Sequence, residues 1–140
     1  PFYYLHKNDK FLFASELIKR FKHECEVSFV KLASYEGVES SGVVSKLIGL
    51  NEDLKDRNII IVEDIVDTGH TMKNVTQHIL RRQPARMKTI ALLDKPSRRE
   101  VEIKTDFLGF EIPDEFVVGY GIDFAQRNRN LPFIGKVRFT

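Results

Sequence analysis

Residues 58–71 constrain the fold of this chain more than any other stretch. They read Asn-Ile-Ile-Ile-Val-Glu-Asp-Ile-Val-Asp-Thr-Gly-His-Thr. The β-branched and aliphatic run at residues 59–62 predicts a short strand that is buried on both faces, as strands of parallel sheets are. An acidic, polar loop and a helical pattern come after it. This part of the chain therefore predicts a strand–loop–helix unit.

The loop of this unit predicts an anion site. The free backbone N–H groups and the dipole of a helix N-terminus favour a negatively charged ligand. Gly69 allows a ligand to approach the backbone closely, and the hydroxyls of Thr68 and Thr71 can donate hydrogen bonds to phosphate oxygens.

Three carboxylates in the same unit narrow the ligand further. Glu63, Asp64 and Asp67 would repel a bare phosphate, so we expect a ligand that also carries ribose hydroxyls or a bound Mg²⁺. Two other interpretations stay open. One is an ordinary strand-to-helix turn with a solvated acidic loop. The other is an aspartic protease, because that class shares the Asp-Thr-Gly tripeptide, although His70 and a helix directly after it do not suit that class.

Length and composition point to one domain covering residues 1–140. The chain begins at Pro1 without Met, so we expect either that a Met was removed or that an N-terminal segment is short or missing. The net charge of +2 gives no case for a nucleic-acid or membrane partner. The single cysteine, Cys25, excludes an internal disulfide and suits a reducing cytoplasm. No apolar run approaches the length of a membrane span.

Periodicity predicts the remaining elements. Strands are predicted at residues 2–5, 26–32, 43–50, 59–62, 87–93, 106–112 and 133–139, and helices at residues 11–21 and 71–82. The 26–32 strand is expected to be largely buried. This alternation favours an α/β fold with a doubly wound, mostly parallel sheet and helices on both faces.

Two polar stretches lie between these elements. Residues 34–42 are rich in Gly and Ser and suit either a plain surface hairpin or a lid that closes over a reactive centre. Arg98, Arg99 and Glu100 are interpreted as a solvated charged turn, and His78 as a structural residue beside an apolar helix stripe.

The acidic unit resembles the phosphoribosyl pyrophosphate (PRPP) motif of type I phosphoribosyltransferases. That motif is an aliphatic strand, two acids, two aliphatic residues and then Asp-Thr-Gly-x-Thr, and every position of it is present. The resemblance implies a PRPP or nucleotide site formed by Glu63, Asp64, Ile65, Val66, Asp67, Thr68, Gly69, His70 and Thr71.

The rest of the chain most resembles bacterial hypoxanthine-guanine phosphoribosyltransferases. The marks are Ser34-Tyr35, Leu-Leu-Asp-Lys-Pro at 92–96, Gly-Phe-Glu-Ile-Pro at 109–113, Phe-Val-Val-Gly-Tyr at 116–120, Asp123 and Arg129. The resemblance implies transfer of a phosphoribosyl group from PRPP to hypoxanthine or guanine in purine salvage, giving IMP or GMP and pyrophosphate. It also implies a mobile lid hairpin, Mg²⁺ as cofactor, a cytoplasmic location and a homodimer or homotetramer.

The same resemblance implies roles in purine binding. Asp67 would accept the proton of purine N7 as the catalytic base, and Lys95 would donate to O6 because it has only donors. Phe116 would stack on the base, and the backbone of Val117 would meet the purine edge. Asp123 is expected in the same region. Phe116 as a plain core residue stays an alternative.

Roles for the leaving group and the metal follow. Arg129 would neutralise pyrophosphate, with Ser34 and Tyr35 on the lid. Glu63 and Asp64 would hold the ribose hydroxyls, directly or through Mg²⁺, and Asp123 would bind a second Mg²⁺ that carries pyrophosphate. Arg129 as one of several solvated charges stays an alternative.

One stretch departs from the family pattern. Family members carry a Lys-Gly-Gly or Lys-Gly-Ser loop after the first strand, where backbone amides bind pyrophosphate, whereas residues 7–10 here read Lys-Asn-Asp-Lys. Residues with a Cβ adopt the required turn less readily than glycine, so we expect weaker pyrophosphate binding. This departure supports a second hypothesis, a PRPP- or nucleotide-binding regulatory module of the same fold with weak or no turnover.

Overall fold

The alternating sequence pattern forms eight strands and two helices in the part of the chain that the computed structural model describes, residues 2–6, 11–36 and 43–140. In chain order they are β1 (Phe2–His6), α1 (Phe11–Arg20), β2 (Glu26–Glu36), β3 (Val43–Ile48), β4 (Asn58–Val66), α2 (His70–Leu80), β5 (Arg86–Asp94), β6 (Phe107–Glu111), β7 (Val117–Val118) and β8 (Gly135–Lys136). A short 3₁₀ turn at Pro96–Arg98 follows β5.

Six strands form the main sheet in the order β3-β2-β1-β4-β5-β6. The neighbours are parallel except for the antiparallel β2–β3 pair. This confirms the predicted doubly wound, mostly parallel sheet. Because β1 leads outward to β2 and β4 leads outward to β5 on the other side, the strand order reverses between β1 and β4. Open α/β sheets bind ligands outside the carboxyl ends of the strands at such a point.

The central strand β4 is buried on both faces, as predicted. Ile59 and Ile61 belong to the main core, which also contains the α2 side chains Met72, Val75 and Ile79. Val62 packs on the other face with a cluster from α1, of which Ala14 is fully buried. Burying each such aliphatic side chain contributes about 1.5–3 kcal/mol. The two helices therefore cover opposite faces and hold β4 in place.

The acidic part of the unit differs from the prediction. Glu63 and Asp64 do not lie in a polar loop, because β4 continues to Val66. The ladder to β5 runs on through Glu63↔Ala91 and Ile65↔Leu93, and hydrogen bonding in that ladder outweighs the polar sequence. Glu63 is 1% and Asp64 2% exposed. The connection to α2 is therefore shorter than the sequence indicated.

The strand β2 is longer and more one-sided than predicted. Ser28 and Val30 are buried, whereas Val27 and Phe29 are 40% and 52% exposed, so the expectation of a largely buried strand is wrong for one face. The strand forms an antiparallel hairpin with β3 that reaches Glu36↔Val43 and includes Ser34 and Tyr35. The predicted lid tip at 37–42 and the glycine-free loop at 7–10 lie outside the described residues.

The C-terminal part forms a separate two-stranded sheet. The predicted last strand over 133–139 is reduced to β8, and it pairs with β7 through Val117↔Lys136 and Val118↔Gly135, not with the main sheet. Among the described residues no helix is long and apolar enough to cross a membrane.

Candidate active site

The turn between β4 and α2 is held by a glycine conformation. Gly69 has φ of +92°, a left-handed value that side-chain-bearing residues rarely adopt. Helix α2 begins at His70, one residue before the predicted start. We call residues 67–70 the phosphate loop, after the anion site that the sequence predicts there.

A second segment, residues 95–101, packs against the phosphate loop, and we call it the brace. The backbone N–H of Lys95 donates to the Val66 carbonyl at 2.9 Å, and that of Glu100 donates to the Thr68 carbonyl at 3.0 Å. Arg99 donates through Nη1 to the Asp67 carbonyl at 2.9 Å. The brace therefore binds three consecutive carbonyls at the end of β4.

The Asp67 carboxylate lies on the exposed side of this loop. Its Oδ1 accepts a hydrogen bond from Arg98 Nε at 2.9 Å, and this bond raises the pKa of Arg98. The two side chains are 43% and 46% exposed. Exposed pairs of this kind are weak because water screens them, so a ligand can displace Arg98 from Asp67 at little cost.

The interpretation of Arg98, Arg99 and Glu100 as a solvated charged turn is wrong for Arg99 but holds for Arg98 and Glu100, which are exposed. The Arg99 side chain is only 20% exposed, and its Nη2 donates to Asp94 Oδ1 at the end of β5. Glu100 lies 2.7 Å from His70 Nε2 across the loop. Pro96 turns the chain back over the sheet edge, which brings these charges onto the phosphate loop.

Lys95 is buried at the carboxyl end of β5, with 8% of its surface exposed. Its ammonium lies 5.9 Å from the ring centroid of Phe116 and 4.0 Å from the Asp114 carboxylate. Asp114 in turn lies 3.7 Å from Arg98 Nη1, which bonds Asp67. One chain of charges therefore joins Asp67 to Lys95.

Phe116 is not a core residue. It is 62% exposed and packs edge-on against Phe124 and Phe139, with ring centroids 6.3 and 5.5 Å away. Val117 follows it directly in β7. The exposed ring and the ammonium of Lys95 form a cation–π pair at the open edge of the site.

Asp123 and Arg129 lie together after β7. Arg129 Nη2 is 3.3 Å from Asp123 Oδ1, and Nη1 donates to the Gly121 carbonyl at 2.9 Å. The backbone N–H of Gln126 donates to Asp123 Oδ2 at 2.8 Å. Arg129 is therefore a fixed cation and not one of several solvated charges.

The predicted ligands of two Mg²⁺ ions lie in different parts of the chain, Glu63 and Asp64 in β4 and Asp123 after β7. No group of three or more His, Cys, Asp or Glu side chains among the described residues is arranged to hold a metal ion. Glu63 and Asp64 point to opposite faces of β4, because successive strand residues do. Asp64 Oδ1 accepts the Ile65 N–H at 2.7 Å.

Three residues of this region were not predicted as functional: Arg99, Asp114 and Asp94. A signal for them was present in the sequence. Two arginines follow a strand end and a proline, and the acidic unit at residues 58–71 carries three carboxylates. Charge complementarity between the ends of neighbouring parallel strands would have indicated that they meet.

The fold and the residues around the phosphate loop indicate a class of ligand-binding protein. A phosphate loop at a strand-order reversal, beside a cation and an exposed aromatic ring, is typical of α/β proteins that bind nucleotide-like ligands. The sequence model of the phosphoribosyl transferase domain family matches residues 11–125. The chain belongs to this family.

Individual relatives agree with the family. The chain is 47% identical over 128 residues to a hypoxanthine phosphoribosyltransferase of Haemophilus influenzae, covering 91% of this chain and 72% of the relative. It is 44% identical to a hypoxanthine-guanine phosphoribosyltransferase of Streptococcus pneumoniae, covering 90% and 71%. A solved hypoxanthine phosphoribosyltransferase of Staphylococcus aureus aligns with a TM-score of 0.87 at 37% identity, covering 99% and 76%.

Proposed function

We propose that this protein transfers the 5-phosphoribosyl group of PRPP to a 6-oxopurine, hypoxanthine or guanine, in purine salvage. The observation that carries the proposal is the position of Lys95, whose buried ammonium lies 5.9 Å from the Phe116 ring at the sheet edge beside the phosphate loop. The named activity of the relatives supports the same reaction. Purine nitrogen attacks C1 of the ribose, and pyrophosphate leaves.

Four residues bind the purine in this proposal. Lys95 donates to O6, and Phe116 stacks on the ring, where its exposure leaves a face free. The backbone of Val117 meets the purine edge. Asp67 accepts the N7 proton after Arg98 moves aside, and its position next to the phosphate loop brings it near the reacting end of the ribose.

The phosphate and ribose are held by the PRPP motif. The amides of the phosphate loop and the hydroxyls of Thr68 and Thr71 bind the 5′-phosphate. Glu63 and Asp64 hold the ribose hydroxyls, with Ile65 and Val66 completing the strand end. Positive charge builds on the ribose in the transition state, so carboxylates near it favour the reaction.

Asp123 and Arg129 hold the leaving group, and Ser34 and Tyr35 lie on the hairpin that covers it. Mg²⁺ is usually bound in proteins by one or two carboxylates together with substrate phosphates. Asp123 suits this, because its carboxylate is fixed by Gln126 and Arg129 and is 24% exposed. When bound, Mg²⁺ would neutralise charge on pyrophosphate.

The regulatory alternative has no specific observation in its favour. Its basis was the glycine-free sequence at 7–10, which lies outside the described residues. Weak pyrophosphate binding by that loop stays a prediction. Assembly as a homodimer or homotetramer and a cytoplasmic location also stay predictions, and light scattering would measure the first.

The test of this proposal is a steady-state assay with Mg²⁺, PRPP and hypoxanthine or guanine, read as formation of IMP or GMP. Calorimetric titration with PRPP runs in parallel, and orotate replaces the purine as a control. We expect turnover with a 6-oxopurine and none with orotate. PRPP binding without turnover would instead support the regulatory module.

A further inference from the structure

We propose that Arg99 is a positioning residue that orients the backbone amides of the phosphate loop toward the ligand. This proposal rests on the proposed function, because it concerns the same phosphate site. The hydrogen bonds of the Arg99 side chain go to the Asp67 carbonyl and to the Asp94 carboxylate. It acts through the peptide that follows Asp67.

Two backbone carbonyls of the phosphate loop point in the same direction. The Asp67 carbonyl accepts from Arg99 Nη1, and the Thr68 carbonyl accepts from the backbone N–H of Glu100 and more weakly of Val101. Both carbonyls therefore point at the brace.

The direction of these carbonyls also fixes the direction of the N–H groups in the same peptides. The described part of the chain contains no cis peptide bond. In a trans peptide the N–H points opposite to the C=O of the same unit. The N–H groups of Thr68 and Gly69 therefore point away from the brace, to the open side of the loop. Successive amides that point the same way form an anion-binding concavity.

Arg99 differs from the rest of the brace because it bonds a loop carbonyl through its side chain. Most other brace contacts to loop carbonyls are made by backbone amides, which no single side-chain replacement removes. Arg99 is largely buried, and its second Nη binds Asp94 at the end of β5. A Cβ added to Gly69 would lie 3.1 Å from Arg99 Cδ, so the aliphatic stem also fills the space behind the glycine. The Arg99 side chain thus connects the ends of β4 and β5 and fixes the orientation of the peptide after Asp67.

The experiment compares Arg99→Met with Arg20→Met as matched control. Arg20 also bonds one backbone carbonyl and one carboxylate, both of Glu16, but on the exposed surface of α1. Calorimetry measures the affinity of each protein for GMP and for guanosine, which lacks the 5′-phosphate. The ratio of the two affinities reports the phosphate contribution.

We expect Arg99→Met to lower GMP affinity about tenfold to a hundredfold, the scale of a lost charge-assisted hydrogen bond, and to change guanosine affinity little. Arg20→Met should leave both unchanged. Arg99→Lys should restore part of the loss, because one ammonium cannot reach both partners as a guanidinium does. An unchanged GMP affinity, or an equal loss for GMP and guanosine, would overturn the proposal.

A second variant covers failure of Arg99→Met to fold. Asp94→Asn keeps the shape of the partner but removes its charge, and we expect a smaller fall in the same ratio. If only Asp94→Asn folds, an unchanged ratio of GMP to guanosine affinity in that variant would contradict the positioning role of Arg99. Wild-type protein that binds neither GMP nor PRPP would contradict the proposed function instead, so the two failures are distinguishable.

Discussion

At the scale of single residues, the proposed site depends on side chains whose present partners a ligand would have to replace. Asp67 is paired with Arg98, and Lys95 lies near Asp114 and Phe116. The Asp67–Arg98 pair is exposed and therefore weak, so it holds the carboxylate in place without blocking a purine. This arrangement predicts that replacing Asp67 lowers the rate of the chemical step more than it lowers the affinity for ligands.

Replacing Asp67 by Asn should lower kcat about a hundredfold or more, the usual scale for loss of a general base. PRPP affinity should change little, because the amides of the phosphate loop remain. Steady-state kinetics and calorimetry measure the two quantities. Asp53→Asn is the control, since Asp53 is an exposed acid that accepts a backbone N–H far along the chain from the loop. Near-normal kcat in Asp67→Asn would remove this residue from the chemistry.

Replacing Gly69 by Ala should destabilise the protein and weaken nucleotide binding. The left-handed φ of +92° is strained for alanine, and the added Cβ would lie 2.9 Å from Ile103 Cγ2. Strain of this kind costs about 1–3 kcal/mol. Urea unfolding measures the loss of stability. In the control Gly135→Ala the new Cβ meets no atom closer than 3.5 Å. Equal stability of the two variants would contradict the proposed strain.

At the scale of elements, helix α2 and strand β3 are tied by one polar contact. His78 Nε2 lies 3.1 Å from Ser45 Oγ, at the base of the hairpin that carries the predicted lid. Burial lowers the pKa of His78 below its ordinary value of 6.5, with Arg81 and Arg82 adding to the effect. The neutral ring is therefore the form that suits the folded protein.

This contact predicts a pH dependence of stability. Because the pKa of His78 is depressed in the folded state, the unfolded chain binds more protons once the pH falls below about 6.5. The stability that the neutral His78 ring contributes is therefore complete above that pH and is lost as the pH falls below it. The free energy of unfolding in urea should fall between about pH 7.5 and 5.5. His78→Gln should show a smaller fall, and the exposed His23→Gln should behave as wild type. An undiminished fall in His78→Gln would show that other groups cause it.

At the scale of the whole molecule, hydrophobic periodicity predicted the sheet well. The run at 59–62 is buried on both faces, and helices cover both sides of β4. What periodicity did not reveal is the end of each strand. Glu63 and Asp64 stay in the ladder because β5 continues beside them, a tertiary effect that their polarity hides.

The brace was missed for a related reason. Arg99 is a charged residue next to a proline turn, so local sequence predicts exposure, whereas its side chain is only 20% exposed. Its role depends on which strand ends are neighbours, and that follows from the sheet order, which one-dimensional patterns do not contain. Phe116 shows the converse, since its apolar character suggested core packing as an alternative but it is exposed.

The most direct test of the central claim, a 6-oxopurine site built around Lys95, is the ratio of kcat/KM for hypoxanthine to that for adenine. The Lys95 ammonium donates to O6 but meets the adenine amino group donor to donor, and an unpaired buried donor costs about 1–3 kcal/mol. Wild-type protein should therefore discriminate strongly against adenine, and Lys95→Ala should lose most of that discrimination. Efficient use of adenine by the wild type would contradict the account.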